Sequence, residues 1–253
     1  MKHYTIGLAG HIDHGKTTLT KALTNIDTDR LKEEKERKIS IELGYAPLQL
    51  SEDMEISIID VPGHERFIRQ MIAGVAGIDL VLLVVAADEG VMPQTREHLE
   101  ILQLLNIKRG LVVVTKVDRI DEELREIVEL DIRDSIEGTF LEEAPLHFVD
   151  SVAKDGIEEL KATIKKELDA VPNRDDSGAF RLPIDQVFTV HGQGTIVRGT
   201  VYEGNVQEGD MLELYPQQIP VRVRQLQVHR QERKQGRAGQ RVAINLGGSH
   251  VIK

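Results

Sequence analysis

A chain of 253 residues, 40% hydrophobic and 29% charged, is long enough for two ordinary domains and too apolar to be disordered. It has no cysteine, which excludes a disulfide framework and any thiolate-bound metal, and its longest apolar run, Leu80 to Ala87, is far too short to span a bilayer. The formal charge of −10 is uneven: residues 215–253 hold eight basic side chains (Arg222, Arg224, Arg230, Arg233, Lys234, Arg237, Arg241 and Lys253) against Glu232, a balance of +7 that leaves −17 elsewhere, so an anionic partner is expected for that segment.

No signal-peptide pattern precedes the first element, a short apolar strand from Tyr4 to Ala9, so a soluble, cytoplasmic protein is expected. A helix starts near Thr18-Leu19-Thr20-Lys21-Ala22-Leu23. Between the two, Gly10-His11-Ile12-Asp13-His14-Gly15-Lys16-Thr17 fits G-x-x-x-x-G-K-[ST], the phosphate-binding loop, in the strand–loop–helix setting the motif requires. Gly10 and Gly15 let the backbone turn its N–H groups onto a phosphate, and the helix N-terminus adds free N–H groups and partial positive charge. In such a loop Lys16 reaches the β- and γ-phosphates and the Thr17 hydroxyl holds Mg²⁺.

The charged stretch 27–41 reads as a solvated surface helix or as a loop ordered only by a ligand. Gly44 to Leu50 and Glu55 to Asp60 have the pattern of paired strands. The second delivers Asp60-Val61-Pro62-Gly63-His64 at its carboxyl end, where Asp60 suits Mg²⁺ and the Gly63 N–H suits a γ-phosphate. Asp79 to Ala87 reads as a central parallel strand buried on both faces. Pro93 opens a helix whose Leu99, Leu102 and Leu105 are expected to face the core. Gly110 to Val114 is the next buried strand, and it delivers Thr115-Lys116-Val117-Asp118. A carboxylate at 118 can accept two hydrogen bonds from N1–H and N2–H₂ of guanine, donors that adenine lacks.

A charged helix over about Asp121 to Glu137, a last strand at Leu146 to Asp150, a loop at Ser151-Val152-Ala153-Lys154 and a closing helix over Gly156 to Ala170 complete the alternation. The predicted fold class is therefore α/β: a doubly wound P-loop domain over 1–172, followed by a linker at 173–180. From 181 to 253, short β-rich runs separated by Gly turns predict a small antiparallel β-barrel, expected to be incomplete because only five residues follow Gly247-Gly248.

The motif wording is narrower than a generic nucleotide site. Gly-His-Ile-Asp-His-Gly-Lys-Thr-Thr-Leu at 10–19 and Asp-Val-Pro-Gly-His-Glu at 60–65 resemble the translational GTPases, which include elongation factor Tu. The runs starting at Phe180 and Gly192 resemble their second domain, and residues 28–37 with 39–44 resemble the short switch I of the selenocysteine-specific elongation factors. The resemblance covers essentially the whole chain. It implies a monomeric GTPase, using GTP/GDP and Mg²⁺, that carries selenocysteyl-tRNA to the ribosome and hydrolyses GTP there. That family continues into further domains that bind an mRNA hairpin, so the chain looks truncated. The nearest alternatives are an ordinary aminoacyl-tRNA carrier or an initiation factor of the same superfamily.

By the same resemblance, Asp13, His14, Gly15, Lys16, Thr17, Thr18 and Gly63 hold the phosphates, with Asp13 also serving a cation network. Thr115, Lys116, Asp118, Ser151 and Val152 hold guanine, and Thr17, Ser40 and Asp60 hold the metal. Lys16 and His64 are the catalytic pair, His64 orienting the attacking water behind a hydrophobic gate of Ile12 and Ile39. Asp185, His191 and Arg241 line an aminoacyl pocket in which a cation meets the selenolate. Four departures stand out. Lys38 and Ser40 replace Gly and Thr. Thr115 replaces the usual Asn and is expected to lose an amide that braces the phosphate loop. Asp150-Ser151 replaces Ser-Ala, and Gln186 replaces an Arg, for which His191 is the expected compensation.

Overall fold

The computed structural model describes residues 2–28, 44–60, 77–172, 174, 176–190, 194–229 and 231–247. The chain divides into two compact units, Met1–Pro172 and Asn173–Lys253.

In the first unit strands and helices alternate: β1 (Lys2–Gly10), α1 (Lys16–Thr24), β2 (Gly44–Ser51), β3 (Met54–Asp60), β4 (Leu80–Ala86), α2 (Pro93–Leu104), β5 (Gly110–Thr115), a 3₁₀ turn (Val117–Arg119), α3 (Glu122–Ile136), β6 (Leu146–Phe148) and α4 (Ile157–Asp169). The sheet order is β2-β3-β1-β4-β5-β6, and every pairing is parallel except that of β2 with β3. The period-2 alternation of strand side chains sorts each strand between two cores. In β4, Leu80, Leu82 and Val84 join Leu19, Leu23, Leu160 and Ile164 on one face, while Val81, Leu83 and Val85 join Leu99, Leu102, Ile132 and Ile136 on the other. A strand covered on both faces must be apolar throughout, which is why β4 reads Leu-Val-Leu-Leu-Val-Val-Ala without a polar break.

The helices follow from their local chemistry. α4 buries Ile157, Leu160, Ile164 and Leu168, one stripe at helical spacing. α3 is capped by Asp121, whose Oδ1 accepts from Leu124 N at 2.9 Å, and Glu122 and Glu123 favour the positive end of its dipole. Pro93 opens α2, where its missing N–H costs nothing. The expectation for α2 needs one correction. Leu99 and Leu102 are buried, but Leu105 is the C-cap and is 40% exposed, because the helix stops at Leu104; Ile107, past the end, enters the core instead.

The parallel strands end together at one edge: Leu8 pairs with Asp60, Gly10 with Val84, and Ala86 with Thr115. Strand order reverses between β1 and β4, and the crevice above such a reversal is where doubly wound sheets bind ligands. The phosphate loop leaves β1 at that point.

The second unit is all antiparallel: β7 (Gln186–Val190), β8 (Gly194–Thr200), β9 (Asn205–Gln207), β10 (Met211–Leu214), β11 (Ile219–Val228), β12 (Gln231–Arg233), β13 (Gln235–Arg237) and β14 (Arg241–Gly247). The main sheet runs β10-β11-β14-β8-β7 with β12 on β11, and β9 and β13 form a separate pair. Val197, Val223, Leu226, Val242 and Ile244 lie at its core. On β11 the valines point inward while Arg222 and Arg224 point out, and Arg233, Lys234 and Arg237 are also exposed. Arg241 departs from that basic surface: it is 8% exposed. Among the described residues no helix is long and apolar enough to cross a membrane.

Candidate nucleotide-binding site

The loop from Gly10 to Thr17 is shaped by backbone sterics. Gly10 has φ +144°, and a Cβ there would lie 2.2 Å from the Val84 carbonyl oxygen, so no other residue fits. Gly15 caps α1 at φ +85° and Asp13 sits at φ +60°, a left-handed conformation that aspartate tolerates better than most side chains. No side chain caps α1, so its first N–H groups are presented to an anion. Asp13 and Thr18 are exposed on this rim, and Ile12 is half-buried.

Lys16 is buried, and its Nζ donates to the carbonyls of Gly10 (3.0 Å) and His11 (2.6 Å). Burial pulls its pKa down to about 8, against the opposing pull of Asp60 and Asp13. A phosphate at the loop would offer the ammonium the charge partner that two carbonyls cannot. His14 is wholly buried, with Nδ1 3.4 Å from the Val84 carbonyl oxygen, so its ring is closed off from solvent and its backbone is what the loop can present. Burial lowers its pKa to about 4.

Helix α2 holds the loop from behind, through two residues that carry no motif. Gly10 N–H donates to His98 Nδ1 at 3.0 Å, and Ile12 N–H donates to Gln94 Oε1 at 3.1 Å. His98 is 1% exposed, and burial, then the nearby Lys16 charge, push its pKa to about 3. It is therefore a neutral imidazole with Nδ1 as acceptor. The signal in the sequence is small: Thr95 and His98 share the buried face of α2 with Leu99 and Leu102.

At the metal end, Thr17 Oγ1 donates to Asp60 Oδ2 at 2.7 Å, and Asp60 is 1% exposed. A hydroxyl and a buried carboxylate beside a phosphate loop are hard oxygen donors, the set that magnesium takes together with phosphate oxygens, so these residues fit that ion. Thr28, also unanticipated, donates from Oγ1 to the same Asp60 oxygen at 3.0 Å. Ser40, Gly63, His64, Ile39 and His191 lie outside the described residues.

The guanine end brings a correction. The expected loss of a brace at Thr115 does not occur: Thr115 Oγ1 donates to the His14 carbonyl at 2.7 Å. The threonine stands at the end of β5 directly against the loop, with its Oγ1 3.5 Å from where a Gly15 Cβ would be, so the shorter side chain reaches. Asp118 is exposed in the 3₁₀ turn, open to a base edge. Lys116, in a left-handed conformation, donates to Glu89 Oε1 at 3.0 Å, and Asp88 holds Arg119. In the loop after β6, Asp150 Oδ1 accepts from Val152 N (2.8 Å) and Ala153 N (2.9 Å). The Val152 amide thus donates to Asp150, and its side chain is 84% exposed.

In the second unit, Arg241 and Asp185 form a bidentate pair, Nη1–Oδ2 2.5 Å and Nη2–Oδ1 2.7 Å, with side chains 8% and 2% exposed. Gln186 is opposite Arg198 in the β7–β8 register, with Oε1 3.5 Å from Arg198 Nη1, and that guanidinium lies over the Phe188 ring at 4.5 Å.

Comparison with known proteins agrees with this arrangement. Residues 1–170 match the family model described as elongation factor Tu GTP binding domain, and residues 194–251 match elongation factor Tu domain 2. A selenocysteine-specific elongation factor of Desulfomicrobium baculatum is 50% identical over 98% of this chain, which spans 39% of that relative. A crystal structure of a bacterial selenocysteine-specific elongation factor, EF-Sec, superposes with a TM-score of 0.89 at 44% identity, covering 97% of this chain and 42% of the other. A second, translation elongation factor SelB from Methanococcus maripaludis in complex with the GTP analogue GPPNHP, superposes at 0.87 with 33% identity, covering 98% and 52%. The first match takes in two thirds of the sequence and the second most of the β unit: the chain belongs to the translational GTPases built on the elongation factor Tu GTP-binding domain.

Proposed function

We propose that the chain is the nucleotide-binding and second-domain portion of a selenocysteine-specific elongation factor, a cytoplasmic monomer that holds selenocysteyl-tRNA when GTP is bound and hydrolyses GTP when the ribosome engages. Phosphoryl transfer of this kind depends on positioning and charge neutralisation rather than on a protein nucleophile. The N–H groups of the loop and of the first turn of α1 receive the phosphates. Lys16, held by the Gly10 and His11 carbonyls, exchanges them for β- and γ-phosphate oxygens. Thr17 and Asp60 would hold magnesium, which neutralises charge between those phosphates. Asp118 accepts from the guanine edge, and the Ser151 N–H meets O6. His64 orients water, and Ile12 with Ile39 keeps it away until the ribosome acts.

The observation that carries the finer reading is the Arg241–Asp185 pair. A desolvated arginine on the second unit is held in place by a buried carboxylate, and on this reading its guanidinium is the group that a ligand anion approaches. A selenol is ionised at neutral pH and a serine hydroxyl is not, so such a cation separates the two residues by charge. Arg198, opposite Gln186, supplies a second guanidinium on the strand next to β14. The test is GTP-dependent binding of selenocysteyl-tRNA and seryl-tRNA with the same tRNA body. Arg241→Ala should lower the first affinity about ten- to a hundredfold more than the second, the size of a charge-assisted contact. Equal losses would make Arg241 a reader of the tRNA backbone.

A further inference from the structure

Asp60 ends β3 with two hydroxyls on one of its oxygens: Thr17 Oγ1 at 2.7 Å and Thr28 Oγ1 at 3.0 Å, both to Oδ2. Thr17 is the expected magnesium ligand of the phosphate loop. Thr28, the first residue of the stretch that resembles switch I but assigned no site role there, lies beyond the α1 C-cap at Asn25 and is 5% exposed. We propose that Thr28 is a positioning residue of the magnesium site, which fixes the Asp60 carboxylate in the orientation that serves the cation. This rests on Thr17 and Asp60 being the magnesium-holding pair.

The geometry supports a specific role rather than incidental contact. A carboxylate turns freely about its Cβ–Cγ bond unless its oxygens are held. Donors from two different segments, the α1 N-terminus and the loop after α1, converge on Oδ2, and fixing that oxygen fixes the plane of the group. Gly44 makes the approach possible. It pairs with Asp60 in the β2–β3 register, and a Cβ at 44 would lie 2.6 Å from Thr28 Cβ and 3.1 Å from Asp60 Cβ. Thr28 therefore reaches Asp60 only because position 44 has no side chain. Groups that hydrogen-bond to a metal-holding carboxylate set its orientation, and their removal weakens metal binding about ten- to a hundredfold.

The experiment follows release of a fluorescent guanosine diphosphate from the 253-residue chain while magnesium chloride is titrated from chelator-stripped buffer. For the unmodified chain, release that slows as magnesium rises supports the Thr17–Asp60 pair; release indifferent to magnesium overturns the pair and the role of Thr28 with it. Thr28→Val keeps the shape and removes the donor. It should raise the magnesium concentration for half-maximal slowing about ten- to a hundredfold, with release in chelator unchanged. Thr28→Ser, which keeps the hydroxyl, should stay within about threefold of the unmodified chain. Thr28→Ala, which cannot crowd the site, is measured in parallel and should shift as valine does. A magnesium midpoint unmoved in both Thr28→Val and Thr28→Ala overturns the proposal, as does faster release in chelator of the same size as that at saturating magnesium, because a merely structural defect would move both equally.

Discussion

Burial of His14 within the phosphate loop and of His98 behind it links the stability of the first unit to pH. Both imidazoles have folded pKa values depressed by burial, to about 4 and about 3, against an unfolded value near 6.5. Between those limits the unfolded chain binds protons that the folded chain refuses, so stability is fully present above pH 6.5 and is lost as pH falls through the window. Between pH 6.5 and 5, each histidine should remove roughly 1–2 kcal/mol, the two together about 3 kcal/mol. His11 and His147 are shifted in the same direction and add to the sum. Urea unfolding followed by far-ultraviolet circular dichroism at several pH values measures this, because all four α-helices described lie in the first unit. The informative variant is His98→Gln. A glutamine oxygen can still accept from the Gly10 N–H but does not titrate, so the variant should lose roughly half of that pH dependence. An unchanged slope in a variant of unchanged helix content would refute the reading of His98 as a neutral acceptor.

Removing the Thr115 hydroxyl as Thr115→Val leaves the His14 carbonyl without its 2.7 Å donor. A lost buried partner is worth about 1–3 kcal/mol, so guanosine diphosphate affinity should fall about five- to a hundredfold, while Thr115→Asn should bind at least as well as the threonine; equilibrium titration with a fluorescent nucleotide decides. Asp118→Asn should turn preference from guanosine towards xanthosine nucleotides by about 10²–10⁴, since the amide can donate to the xanthine C2 oxygen where guanine carries its own donor. Competition between the two nucleotides measures it, and an unaltered ratio would remove Asp118 from the base site.

The parts of this fold that announce themselves in the sequence are those specified by near neighbours. β4 can be read from an unbroken apolar run, α4 from four apolar residues at helical spacing, and the loop from two glycines, both at positive φ, that are spaced as a phosphate loop needs. The contacts that complete the site join residues far apart in the chain, and nothing at either partner marks them. His98 looks like one polar residue on a helix face until the Gly10 N–H is found against it. Thr28 looks like part of a charged run until Asp60 is found beside it. Thr115 looks like the loss of an amide because family wording carries no information about how close β5 stands to the loop. By charge alone Arg241 is one more basic residue of a cationic segment; the family resemblance sets it with Asp185, and the fold adds the buried bidentate geometry. The three-residue strands β9, β12 and β13 are too short for any alternation to show, and Leu105 misleads because periodicity does not say where a helix stops.

The strand that carries the phosphate loop lies in the middle of its sheet, bonded to β3 from Lys2 to Leu8 and to β4 from Ile6 to Gly10. Central strands of this kind open only when the whole unit opens, whereas a loop with exposed crest residues such as Asp13 and Thr18 rearranges at far lower cost. The stem of the loop and its crest thus belong to different levels of the stability hierarchy. Amide protons from Tyr4 to Ala9 should exchange only when the whole unit opens, and those past Ile12 should respond to the nucleotide, so a ligand can come and go without opening the sheet beneath it.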